Sequence, residues 1–197
     1  LGFGGTVSSL TAVSIKDRAT ASLTDDKSYL AVSASGLSAD LIWLESVLVF
    51  HASGVTVQIN KASDSDGDAA TDAAKLDWTT LVTSGLSLPL LTIGSTLDVH
   101  ASGQVALNAL SGVLVATSGF SLDLGQVSTT AQNNGVSFTD ASAAVITLTN
   151  ASVFVGTGGS LSVDSSTGTV VNGSLGFGGT VSSLTVVSIK DRATASL

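Results

Sequence analysis

The sequence predicts an all-β, elongated and repetitive protein, and three observations carry that prediction. The alphabet is that of strands and turns: 44% of the residues are hydrophobic, only 11% are charged, and there are 21 glycines against one proline. Mean hydropathy is +0.51, and the apolar content comes from Val, Leu and Ala, with few of the long straight-chain residues that favour helices. The second observation is a duplication. Residues 1–23, LGFGGTVSSLTAVSIKDRATASL, return at residues 175–197 as LGFGGTVSSLTVVSIKDRATASL, with Ala12 replaced by Val186 as the only change. The third is punctuation: apolar runs of five to eight residues are bounded by Ser-Gly and Ala-Ser-Gly.

The duplication divides the chain into one full repeat unit, residues 1–174, and the start of the next, residues 175–197. A period this long is far above the 20–50 residues of a single solenoid repeat, so each unit must hold many strands. Two architectures fit. In a β-solenoid, about 25 residues per coil would give roughly seven coils per unit, stacked at ~4.8 Å. In a continuous antiparallel meander, the Ser-Gly elements are hairpin turns and the sheet grows sideways into a ribbon or groove. The solenoid is favoured here, because near-identical repeats stack on one another without any other partner.

Taken in order, strands are expected at residues 6–15, 29–34, 37–44, 47–51 and 55–59. They continue at 76–82, 86–93, 96–100, 105–107, 113–117 and 120–124, and then at 143–148, 153–155, 160–163 and 169–171. The Gly-rich LGFGGT reads as a turn, since no helix or Lys follows it to make a phosphate loop. Residues 61–75, KASDSDGDAATDAAK, and residues 128–135, STTAQNNG, are polar loops. A weaker internal repeat aligns residues 44–59, 110–124 and 148–163, and His51-Ala-Ser-Gly recurs as His100-Ala-Ser-Gly.

Composition excludes several function classes. The chain carries 15 acidic and 7 basic residues, and removing Lys190, Asp191 and Arg192 leaves 14 and 5 in the full unit. Such acidity disfavours nucleic acid and anionic surfaces as partners. No Cys is present, which removes disulfides, thiol catalysis and thiolate metal sites together. No apolar run reaches 18 residues, so no transmembrane helix is expected.

Few residues suggest chemistry. Asp64, Asp66, Asp68 and Asp72 alternate on a Gly-containing loop, and carboxylates so spaced can converge on Ca²⁺, which takes six to eight oxygens. The loop departs from the EF-hand pattern, with Gly67 ahead of the third Asp and Lys75 at the twelfth position, and a solvated acidic loop is the favoured reading over a Ca²⁺ site. No cofactor other than Ca²⁺ is implied. His51 and His100 precede identical turns and read as structural. No Gly-x-Ser-x-Gly elbow supports a hydrolase, and no enzymatic activity is expected. Trp43 and Trp78 read as packing anchors.

Residues 47–50, 113–116 and 153–155 are apolar at consecutive positions. Consecutive side chains point to opposite faces of a strand, so both faces are apolar there. One face fills the core, and the other must meet a second sheet, a neighbouring chain or lipid.

The KASDSDGD loop, the KLDW at residues 75–78 and the VFVG at residues 153–156 resemble the tandem modules of giant, repetitive bacterial surface and adhesin-like proteins. A fainter similarity is to repeating β-groove proteins that hold lipid along an apolar trough. The first resemblance implies an extracellular or cell-surface location in a bacterium and a structural role in a long filament or stalk. Its partners would be further copies of the repeat, end to end and laterally. The alternative it leaves open is an elongated binding module, an adhesin or a lipid-holding groove.

Overall fold

A computed structural model describes residues 2–18, 26–42, 47–64, 73–129, 134–163 and 165–191. No helix occurs among them, and ten strands do: β1 (Gly2–Thr6), β2 (Ser9–Asp17), β3 (Lys27–Ile42), β4 (Leu48–Asp64), β5 (Leu97–Ala109), β6 (Leu114–Val127), β7 (Ala141–Thr157), β8 (Ser160–Leu161), β9 (Val170–Val171) and β10 (Leu175–Lys190). One antiparallel sheet takes the order β1–β3–β4–β5–β6–β7–β10, with β2 following β1 along the same side of β3, while β8 and β9 form a small separate hairpin. Every pair in the large sheet is antiparallel.

The strands are longer than their apolar runs, because Ser35-Gly36 and Ala52-Ser53-Gly54 lie inside β3 and β4. Both were expected to turn the chain. Glycine does adopt the left-handed conformation at these places, with φ of +62° at Gly36 and +59° at Gly54. It spends that freedom on a bulge, however, and the strand continues beyond it. Register shifts fall between Ala34 and Leu37, between Ser53 and Thr56, and between Thr117 and Gly119. Asn150 of β7, with φ +49°, lies on the same line. These irregularities form a crease across the sheet at β3, β4 and β7, which β5 and β6 cross without a register shift between them at that line. A true turn stands between β5 and β6, where Leu110, Ser111 and Gly112 all have positive φ and Val113 N–H donates to the Leu110 carbonyl at 3.3 Å.

Two other expectations are corrected. LGFGGT is strand, not turn: Gly4 and Gly5 pair with Asp40 and Ala39, and the same residues of the second copy pair along β7. Residues 76–82 and 86–93 are not strands but parts of an irregular segment, residues 75–96, laid over one side of the sheet. Their apolar residues are there for burial: Trp78, Leu91 and Ile93 form a core with Val13 of β2 and Ala31 of β3, and Ile15, Tyr29, Leu76, Leu81, Leu88 and Leu97 pack around it. Apolarity alone does not distinguish a segment buried through its side chains from one bonded into a ladder.

One polar residue ties this cap down. Asn60 of β4 is buried; its Nδ2 donates to the carbonyls of Leu76 and Gly94, both at 2.9 Å, and its Oδ1 accepts from Trp78 Nε1 at 2.9 Å. Trp78 N–H donates to the Ile93 carbonyl at 2.9 Å. A buried amide with its polar atoms paired adds specificity without a desolvation penalty. Beyond the crease a second cap, residues 158–163 and 165–174 with β8 and β9, lies on the same side. There Gly159 N–H donates to the Gly112 carbonyl at 3.0 Å, and Ser166 donates to Ser53. Phe154 and Val115 are buried on that side.

Candidate functional site: two sheet edges and an uncovered face

The bulges matter because each moves a strand's alternation on by one residue and so keeps one set of side chains on one side across the crease. The capped side carries Val13, Ala31, Asn60, His100 and Asp123 in one half, and His51, Ala106, Val115 and Phe154 in the other, as the register pairs require. Among the described strand residues, every buried apolar side chain except Ala34 lies on this side. The consecutive apolar residues are thereby explained. Val49, Val115 and Phe154 face the second cap, while Leu48, Phe50, Leu114, Ala116, Val153 and Val155 face the other way.

That other side is apolar and bare. Leu107, Ala116 and Val153 stand opposite one another across β5, β6 and β7, and Leu122, Ile146 and Val186 do so across β6, β7 and β10. Val153, Val155, Ile146, Val186 and Leu184 are all exposed, and Phe177 is 86% exposed. The charged strand residues described on this side are Lys16, Lys61 and Lys190, all at one rim. The strand carboxylates Asp40, Asp98 and Asp123 are on the capped side.

The edges hold the repeated stretch. β1 and β2 pair with β3 at one margin of the sheet, and β10, the same sequence one unit later, pairs with β7 at the other. Six antiparallel steps separate them, an even number, so β10 runs in the same direction as β1 and β2. Direction and facing are both conserved. The strand therefore presents its opposite edges in its two places: β1 and β2 bond β3 with one edge, and β10 bonds β7 with the other.

The two environments differ. Val13 is 7% exposed beneath the Trp78 cap, and Ile15 packs beside it. Their counterparts Val187 and Ile189 are 58% and 46% exposed. They border an open trough of about 280 Å³, lined also by Leu97, Gly125, Ala143 and Val145.

The histidines sit in strands, not at turns. His100 Nδ1 lies 2.6 Å from Asp123 Oδ1 and its Nε2 lies 3.1 Å from Ser102 Oγ, while Ser121 donates to Asp123 at 3.1 Å. His51 Nδ1 is 2.6 Å from Asp40 Oδ1. The order Asp–His–Ser is that of a nucleophilic triad. Ser102, however, lies within two ladders, opposite Thr56 on one side and Ser121 on the other, and such a strand position offers no convergent pair of free N–H groups for an oxyanion. The network ties β5 to β6 and satisfies polar groups on the capped side. Sequence reasoning missed Asp40 and Asp123 because cross-strand partners have no fixed spacing; they stand 11 and 23 residues away.

Of the candidate calcium ligands, Asp64 ends β4 opposite Lys27, while Asp66, Asp68 and Asp72 lie outside the described residues, as does Trp43. No cluster of three His, Asp or Glu suited to a metal occurs among the described residues. Among the described residues there is no helix long and apolar enough to cross a membrane. No family model, curated protein or solved structure matches the chain.

Proposed function

We propose that the chain is a structural repeat of a long extracellular filament or stalk that lengthens by end-to-end continuation of one sheet. The carrying observation is the repeated stretch at both margins, in one direction, with one facing, and bonded through opposite edges. One strand in the middle of such an array would then use both edges at once, paired with β7 of its own predecessor and with β3 of its own unit. The antiparallel neighbour order supports the sideways-growing meander over the solenoid. Each unit adds six strand positions, about 29 Å at ~4.8 Å each. The trough beside Val187 and Ile189 is where the Trp78 segment of a following unit would lie, as this unit's segment lies on Val13 and Ile15. A role for Ca²⁺ at the acidic loop and a bacterial cell-surface location remain part of this reading on the strength of the sequence.

The test is a chain carrying two complete units before the terminal stretch. Small-angle scattering should show a single rigid rod about 29 Å longer than the present chain. Two bodies joined flexibly would overturn the reading.

A further inference from the structure

We propose that the uncovered apolar face is the contact between two copies of this chain, packed face to face as a two-sheet sandwich. This goes beyond continuation at the edges and uses none of the edge groups.

Size carries the first part of the argument. Six strand positions at ~4.8 Å and about 16 residues at ~3.3 Å cover roughly 1,500 Å² in projection. A stable dimer needs about 800 Å² from each partner, and soluble monomers seldom expose apolar patches beyond about 600 Å². The face centred on Leu107, Leu122, Ile146 and Val153 therefore has the extent of an obligate interface.

Chemistry carries the second part. The only charges described on this side are the three rim lysines, and the strand carboxylates point the opposite way. Pairing two such faces buries no carboxylate and turns both acidic, capped sides to water. Apolar sheet faces pack in this manner about 10 Å apart, and a two-fold axis makes the patch its own complement. A lipid layer fits less well. A sheet embedded in acyl chains carries a polar or aromatic belt at both interfaces, whereas the rim opposite the lysines ends in exposed Val155 and Leu175.

Sedimentation equilibrium on the 197-residue chain should give twice its 19.4 kDa. Leu122→Lys or Ile146→Lys should restore the 19.4 kDa species, with far-UV circular dichroism unchanged and the dissociation constant raised at least ~100-fold by an unpaired buried charge. Leu122→Thr, which keeps a strand former, should raise it about 10-fold. Val187→Lys, on the capped side, should leave the dimer intact. A monomer at all concentrations overturns the proposal. So does a dimer that survives Leu122→Lys but is lost with Val181→Pro in β10, which would place association at the edge. Flotation as a monomer with phosphatidylcholine–phosphatidylglycerol vesicles would assign the face to lipid and also overturn it. Rod length in the two-unit chain, measured with Leu122→Lys in place, reads edge continuation separately.

Discussion

β2 and the second half of β10 have nearly the same sequence and opposite fates. Val13 is buried where Val187 is open, although each stands at the same place in a strand of the same direction and facing. The residues do not make the difference. Val13 lies under residues 75–96, held there by Asn60 and Trp78, and no segment among the described residues covers Val187 in the same way. A hydrophobic side chain contributes to stability only through what covers it, so burial here belongs to the unit and not to the strand. β10 also shows what an unextended margin looks like, a 16-residue strand exposed throughout its length. Long apolar edges are liabilities unless another strand pairs with them.

Removing the cap's anchor should break the contrast most strongly. Trp78→Ala deletes the buried ring and the Asn60 bond, and should cost about 3–5 kcal/mol in urea denaturation; a loss below about 1 kcal/mol would mean the cap does not protect β2. Paired truncations sharpen the comparison next. Val13→Ala should cost about 2 kcal/mol, at ~0.8 kcal/mol per methyl-sized group plus the cavity. Val187→Ala should change stability by less than about 0.5 kcal/mol, as exposed positions do. In the two-unit chain Val187→Ala should rise to match Val13→Ala, and equality already in the present chain would remove the contrast.

The smallest effect concerns the cap's own turn. Asp77 accepts from the Thr79 hydroxyl at 2.5 Å and from its amide at 3.0 Å, and these bonds hold its carboxyl below the ordinary value of 3.8, the hydroxyl contributing most. A depressed folded-state value adds stability that is present above the unfolded value and lost as pH falls through the folded one. Asp77→Asn should therefore flatten the stability profile slightly below about pH 4, and leave its shape above that pH unchanged.

Much of this was legible in the residues. The Val, Leu, Ser and Gly alphabet announces strands, and the doubly apolar runs at 47–50, 113–116 and 153–155 announce burial demands on both faces. Those features depend on local sterics and on alternation, which are properties of the chain itself. Other features were not legible. Ser-Gly and Ala-Ser-Gly specify a left-handed residue, but whether the strand then reverses or bulges depends on which neighbour it is paired with. Trp78 reads as an anchor, yet nothing local says that its segment lies across the sheet instead of joining it. The His51–Asp40 and His100–Asp123 contacts likewise exist only because register sets those strands side by side.

The sequence by itself determined that this protein would be built of strands, with more apolar surface than one core can absorb. Only the tertiary structure decided which surface is covered, placed both copies of the repeated stretch at opposite margins, and left one face bare. The reason is physical: strand formation answers to local backbone and side-chain preferences, whereas coverage, register and facing are set by pairings between residues far apart along the chain.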